Sequence, residues 1–226
     1  DFTELAPSDI KLEVVQDTVY VAYYWENGGT DFIKVHKFNG TTWEDLSSYI
    51  GQGVIVSNHA RPYDFNVSPT GEIQLAFYEN FWTNQWIFAI YNGSHFDDPY
   101  NYFPTGAHED LKIETDEFGN DWFLLSDVGQ TELYKRNLTA WNLEHTYFTG
   151  GPNHLKNGLD VSTNTGGDNV HVTALLSRGG ADNISISQYD AGTLNYNSDV
   201  DFTDDLEFFD IVANDQGAYI FGTKPT

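Results

Sequence analysis

A short turn recurs four times along the chain, and its spacing limits the folds open to it more than any other feature. Phe38-Asn39-Gly40-Thr41-Thr42-Trp43 is followed by Tyr91-Asn92-Gly93-Ser94-His95-Phe96, by Arg136-Asn137-Leu138-Thr139-Ala140-Trp141, and by a worn copy, Tyr189-Asp190-Ala191-Gly192-Thr193-Leu194. In each, an alternating apolar run stops, Asn-Gly or a relative follows, and an apolar residue opens the next run. That is the pattern of a tight β-hairpin, and Asn-Gly predicts a type I′ turn with both central residues at positive φ. The copies stand 53, 45 and 53 residues apart, so a unit of about 50 residues is being repeated.

A second recurrence, out of phase with the first, gives the same period. Before each turn lie two runs joined by a short polar break, as in Phe65 to Tyr78 around Ser68-Pro69-Thr70-Gly71. Counterparts lie around Asp116-Glu117-Phe118-Gly119, Thr165-Gly166-Gly167-Asp168 and Asn214-Asp215-Gln216-Gly217, and the first unit turns at Gln16-Asp17. Anchoring on Val14, Val67, Ile113, Val161 and Ile211 gives five starts, with steps of 53, 46, 48 and 50. Alternation such as Val19-Tyr20-Val21-Ala22-Tyr23 is common, whereas helical spacing is interrupted everywhere by Gly, Pro, Asn or Asp.

Four short antiparallel strands per unit of this length is the signature of a β-propeller blade. The expectation is a single all-β propeller domain over residues 1–226, with five blades of four antiparallel strands. The inner strands start at the anchors and the outermost at Trp43, Phe96, Trp141 and Leu194. Since the fifth unit has only its first two strands, Phe208 to Asn214 and Ala218 to Phe221, the last blade is expected to be incomplete or closed by the N-terminal segment Asp1 to Ala6. Unpaired strand edges there would favour self-association.

Charge narrows the partners. With 34 acidic residues against 10 Lys and Arg, the formal charge is −24. Such a surface repels phosphate backbones, which argues against nucleic acid and anionic membranes. Without Cys there are no disulfides, thiol chemistry or Cys-based zinc sites. No run of about 18 apolar residues and no basic, apolar leader is present, so neither a membrane span nor a signal peptide is expected in this sequence. Asp-rich turns such as Asp116-Glu117 and Asp204-Asp205 offer hard oxygen ligands, and calcium is the cation they would suit. Asn39, Asn66, Asn92, Asn137 and Asn183 each begin an N-glycosylation sequon.

Chemistry is expected where the loops between second and third strands converge. Those loops bring Trp25 with Glu26 and Asn27, and Trp82 with Asn84 and Trp86, into polar surroundings. A sugar presents an apolar ring face to an aromatic side chain while its hydroxyls need amide and carboxylate partners, so this mixture suits a glycan. Arg61 and Arg178 join the candidate ligand-binding set because basic groups are scarce and either can receive a carboxylate or sulfate. His59, His108 and His154 precede three successive inner strands and are the candidate metal ligands. Asp64, Asp110, Asp160 and Asp210 recur near the inner strands, where a pair could serve glycoside hydrolysis. Their recurrence favours a structural role at strand entrances, and no catalytic residue is assigned.

The unit of strand, D-x-x-G-like turn, strand ending in Ala-Tyr-Tyr or Ala-Phe-Tyr, and Phe/Tyr-Asn-Gly-x-x-Trp/Phe resembles the blades of secreted bacterial β-propellers of the lectin-like, kelch and sialidase-like type. The sialidase box Ser-x-Asp-x-Gly-x-Thr-Trp is not met; Asn39-Gly40-Thr41-Thr42-Trp43 shares only its Gly and Trp. The resemblance implies an extracellular or cell-surface protein that binds carbohydrate or a cell-surface protein in adhesion. A five-bladed glycoside hydrolase and a purely structural interaction propeller are the alternatives.

Overall fold

The computed structural model describes residues 8–27, 30–47, 63–79, 85–94, 96–97, 110–127, 130–137, 140–147, 153–164, 167–178, 181–190, 193–201, 208–214 and 217–223. Among them there is no helix, and the strands form four four-stranded antiparallel sheets and one two-stranded sheet. Sheet I is β1 (Ser8–Val15), β2 (Thr18–Asn27), β3 (Thr30–Phe38) and β4 (Trp43–Asp45). Sheet II is β5 (Tyr63–Val67), β6 (Ile73–Glu79), β7 (Gln85–Tyr91) and β8 (Phe96–Asp97). Sheet III is β9 (Asp110–Thr115), β10 (Asp121–Asp127), β11 (Gln130–Asn137) and β12 (Ala140–Tyr147). Sheet IV is β13 (Asn153–Asn164), β14 (Gly167–Arg178), β15 (Ala181–Asp190) and β16 (Thr193–Asp201), and sheet V is β17 (Phe208–Asn214) and β18 (Gly217–Thr223).

In every sheet each strand pairs with its neighbour in sequence, the up-and-down order of a propeller blade. All five anchors fall on the first strand of a sheet, but inside it or at its end, as Val67 closes β5, and not at its start as expected; the outermost strands start within one residue of Trp43, Phe96, Trp141 and Leu194. The segment Asp1 to Ala6 lies outside the described residues. The chain divides into two compact units, Asp1–Thr105 with sheets I and II, and Gly106–Thr226 with sheets III to V.

The first unit is held by two apolar faces pressed together. Because side chains alternate across a strand, Tyr20, Ala22, Tyr24, Ile33 and Val35 share one face of sheet I, while Tyr63, Phe65, Val67, Leu75, Phe77 and Ala89 share one face of sheet II. These residues form a single buried cluster, with Leu46 and Phe96 at its outer margin. Tyr24 meets Tyr63 edge-on at 4.7 Å. The Tyr63 hydroxyl donates to the carbonyl of Asp9, and burial pushes this phenol well above its ordinary pKa. Near the same seam Lys11 reaches Asp64 at 3.1 Å.

In the second unit sheet III is buried on both faces, with Leu111, Ile113, Phe123 and Leu125 on one and Trp122, Leu124 and Leu133 on the other. β13 lies against β9, β10 and β17.

The turns differ from the expected type. The loop between β3 and β4 holds four residues, and among them only Gly40 has positive φ, at 94°. Asn39 stands before it and works through its side chain: Oδ1 accepts from the Thr41 N–H at 3.0 Å, the Thr41 hydroxyl at 2.9 Å and the Thr42 N–H at 2.9 Å. Asn92 repeats the device, accepting from the N–H and hydroxyl of Ser94, with Gly93 at φ 95°. These are Asx turns, in which a carboxamide replaces a backbone acceptor. Two successive positive φ values occur instead at Gln16 (51°) and Asp17 (62°), in the two-residue turn between β1 and β2.

Between first and second strands, sheets II and III use one solution. Ser68 N–H bonds the Glu72 carbonyl and Gly71 N–H the Ser68 carbonyl; Asp116, Asn120 and Gly119 make the same pair of bonds. In sheet III the capping side chain is the buried Asp116. Its Oδ1 accepts from the N–H groups of Phe118 and Asn120, and its Oδ2 from Asn120 Nδ2 and Trp122 Nε1. The turn thus occupies both oxygens with two donors each, and these oxygens are not free for the calcium expected at Asp116-Glu117. Asp204 and Asp205 lie outside the described residues.

Candidate functional site

In the first unit, the end of the strands that carries these turns opens into a cleft of about 370 Å³ between sheets I and II. Sheet I supplies Tyr20 from β2, Lys37 from β3, Glu44 from β4, and Leu46 just beyond β4. Sheet II supplies Gly71 and Ile73 from the β5–β6 turn and its exit, and Tyr91 and Gly93 from the β7–β8 turn.

Register explains the grouping. Tyr20 pairs with Lys37 and Lys37 with Glu44, so the three lie in one row on the same face. The Lys37 ammonium stands 5.7 Å from the centre of the Tyr20 ring, within reach of a cation–π attraction. Facing them, Tyr91 leans on Phe96 with ring centres 5.3 Å apart. Leu46 is fixed at the margin by its N–H bond to the Val35 carbonyl at 2.9 Å.

The result is an aromatic and aliphatic floor with a cation and a carboxylate at its rim. Its volume is at the small end of the range of about 300–1,000 Å³ usual for small-ligand sites, which suits one or two rings better than an extended chain. A planar aromatic surface, an ammonium donor and a carboxylate acceptor can together serve the apolar ring face and hydroxyl edge of a polyol.

The residues singled out from sequence are dispersed. Trp25, expected in a loop, continues β2 and pairs with Phe32, and its half-buried ring sits 5.2 Å from that of Phe32. Lys34 Nζ lies 4.9 Å from the Trp25 ring centre and 3.4 Å from Asp45 Oδ2. Glu26 and Asn27 also belong to β2, opposite Asp31 and Thr30. This group occupies the other end of the strands from the cleft.

Trp86 is buried on β7 against Tyr78, with ring centres 5.2 Å apart. Arg178 ends β14 opposite Ala181, and His154 lies within β13 opposite Leu176. Trp82, Asn84, Arg61, His59 and His108 lie outside the described residues. Among the described residues no group of three His, Cys, Asp or Glu could hold a metal ion.

The repeated aspartates show structural employment where their side chains are described. Asp64 pairs with Lys11, and Asp110 Oδ1 accepts the N–H of Leu111 at 3.0 Å. Among the sequons, Asn66 is buried and donates to Gln74 Oε1 at 3.0 Å. The cleft residues escaped the sequence reading because they come from two different units of the repeat. The one signal they carried was Lys37, a scarce basic residue immediately before a repeated turn.

No family model matches the chain, and no curated protein matches it. Solved structures do. AofleA from Arthrobotrys oligospora superposes with a TM-score of 0.66 at 13% identity, over 95% of this chain and 66% of that one. A protein of unknown function from Dyadobacter fermentans gives a TM-score of 0.61 at 13% identity, over 99% and 74%. A fructofuranosidase variant from Schwanniomyces occidentalis complexed with fructosylnystose gives 0.53 at 12% identity, over 93% and 49%. The chain spans about two thirds of the length of AofleA. At these identities the likeness is one of fold, and the fold is all-β and propeller-like. No helix among the described residues is long and apolar enough to cross a membrane.

Proposed function

We propose that this protein is a carbohydrate-binding propeller whose site is the cleft between sheets I and II. The observation that carries the reading is the joining of Tyr20, Lys37, Glu44 and Tyr91 around one cleft of sugar-sized volume. The fructofuranosidase of similar fold was solved with an oligosaccharide bound, which supports carbohydrate as the ligand class without assigning its site here.

Binding is favoured over hydrolysis. A glycosidase needs two carboxyl groups about 5–5.5 Å or 6.5–9.5 Å apart across the bond to be cleaved, and among the described lining residues Glu44 is the sole carboxylate. An extracellular or cell-surface setting, with adhesion to a glycan-bearing or protein partner, follows from this reading.

A second location is the loop end of the strands, where Trp25 remains partly exposed beside Lys34. There Trp25, Glu26 and Asn27 would act with Trp82 and Asn84, and Arg61 and Arg178 are further candidates. A glycan array followed by titration of the best ligand separates the two. Glu44→Gln and Lys37→Gln weaken binding if the cleft is the site, whereas Trp25→Ala does so if the loop end is. A silent array, with the protein verified as folded, overturns both.

A further inference from the structure

The turn between β3 and β4 surrounds the Asn39 side chain with groups suited to chemistry on that side chain itself. Asn39 Oδ1 accepts from the Thr41 N–H at 3.0 Å, the Thr41 hydroxyl at 2.9 Å and the Thr42 N–H at 2.9 Å, and Asn39 Nδ2 donates to Thr42 Oγ1 at 3.0 Å. Residues 39–42 are all exposed, so water reaches the turn.

An amide carbon becomes more reactive when donors hold its oxygen, because that oxygen takes up the negative charge once a nucleophile adds. The nucleophile at hand is the next peptide nitrogen. An Asx turn folds the carboxamide back over the following peptide as a β-turn folds one peptide over another, and this brings Asn39 Cγ beside Gly40 N. Among the described residues no acceptor holds the Gly40 N–H. There is also room for a ring, since no heavy atom lies within 4 Å of the place a Cβ would take on Gly40.

We propose that Asn39 is a site of self-modification, at which the turn promotes conversion of the carboxamide to a carboxylate through a succinimide with Gly40. Gly40 N gives its proton to water and bonds to Asn39 Cγ, while the donors around Oδ1 carry the charge of the tetrahedral intermediate. The Cγ–Nδ2 bond then breaks and ammonia leaves. Thr42 Oγ1 already touches Nδ2, so its hydroxyl supplies the proton the departing nitrogen needs and recovers one from water. Water finally opens the imide. Opening at Cγ restores the ordinary peptide and gives aspartate; opening at the main-chain carbonyl leaves Gly40 joined to Cγ and gives isoaspartate.

Aspartate keeps the acceptor oxygen and adds a negative charge. Isoaspartate puts an extra carbon into the backbone of the loop that sets the Phe38–Trp43 register of β4, a strand of three residues. β4 carries Glu44, so the change reaches the cleft whatever its ligand. Asn92 offers a second turn of this kind, with the N–H and hydroxyl of Ser94 both 3.0 Å from its Oδ1 and Gly93 next in sequence. Asn157-Gly158 does not: it lies within β13, paired with Ala174 and Thr173, where the ladder holds the backbone extended.

The test incubates the full chain, folded and in guanidinium chloride, side by side at mildly alkaline pH, and peptide mapping by mass spectrometry measures acid against amide at each Asn. Asn39 is expected to convert at least about tenfold faster in the folded chain than in the denatured one, because the donors that stabilise the intermediate are assembled only in the turn. Asn157 is expected to convert more slowly folded than denatured. Thr41→Val and Thr42→Val, both at exposed positions, are expected to slow the folded rate at Asn39 several-fold and leave the denatured rate unchanged.

An Asn39 that converts no faster folded than denatured would show that the turn protects its carboxamide, and overturns the inference; this comparison needs no variant. A folded rate untouched by both threonine substitutions overturns it as well, as does an Asn157 that keeps pace with Asn39 in the folded chain.

Discussion

Removing the Asp116 carboxylate tests how the blade turns are stabilised. Asp116 is buried and accepts four hydrogen bonds: from the N–H groups of Phe118 at 3.0 Å and Asn120 at 2.8 Å, from Asn120 Nδ2 at 2.7 Å, and from Trp122 Nε1 at 3.2 Å. In Asp116→Ala the buried indole N–H of Trp122 loses this acceptor, and an unsatisfied buried donor costs about 1–3 kcal/mol. The two backbone N–H groups lose charge-assisted partners too, but Phe118 and Asn120 lie nearer solvent and water recovers part of that. A total loss of about 3–5 kcal/mol is expected, a large share of the stability of an ordinary domain.

Asp116→Ser provides an internal control, because Ser68 fills the matching position in sheet II, its hydroxyl accepting from the Glu72 N–H at 2.9 Å and bonding the Thr70 hydroxyl at 2.9 Å. Serine keeps the Asn120 N–H contact and forfeits the indole, for an intermediate loss of about 1–3 kcal/mol. Urea denaturation followed by tryptophan fluorescence measures both variants. A loss below about 1 kcal/mol for Asp116→Ala would show that the turn is held by its backbone bonds and Gly119 alone, and the argument from buried donors would fail.

Other expectations concern strain and pH. Asp17→Gly removes a left-handed φ of 62° from a side chain and should stabilise by up to about 1 kcal/mol in the same denaturation assay; destabilisation would mean the Asp17 side chain does more than tolerate the turn. Burial alone would raise the Asp45 carboxyl, but the Ser47 hydroxyl, Lys34 and His36 outweigh it and hold the pKa below 3.8. A depressed folded pKa contributes stability above the unfolded value, lost as pH falls through the folded one. The gap between wild type and Asp45→Asn should therefore be constant near neutrality and narrow below about pH 4; a gap that widens there contradicts the sign.

The fold was legible because its signals are local. The anchors Val14, Val67, Ile113, Val161 and Ile211 mark strands through alternation, and alternation is a property of adjacent residues. The turn type was misread because Asn39 can serve either through its own backbone at positive φ or through its carboxamide, and the sequence Asn-Gly is compatible with both. Trp25 was expected in a loop because Glu26 and Asn27 look polar, but the β2–β3 pairing extends to Asn27 and Thr30 and carries the ring into a strand.

The cleft is a different matter. Lys37 and Tyr91 come from separate units of the repeat, and nothing in either segment shows that their sheets meet. Ile10, Leu12 and Val14 on β1 look in the sequence like any other buried alternation, yet they are 60%, 60% and 58% exposed.

Titration of a glycan selected on an array into wild type, Glu44→Gln and Lys37→Gln bears most directly on the proposed role. Hydrogen bonds to charged groups are worth about 1.5–3 kcal/mol, so each substitution should weaken binding by about tenfold to a hundredfold while leaving the melting temperature unchanged. A ligand bound equally well by all three proteins would remove the cleft from the account, and a folded wild type that binds no glycan would remove carbohydrate from it.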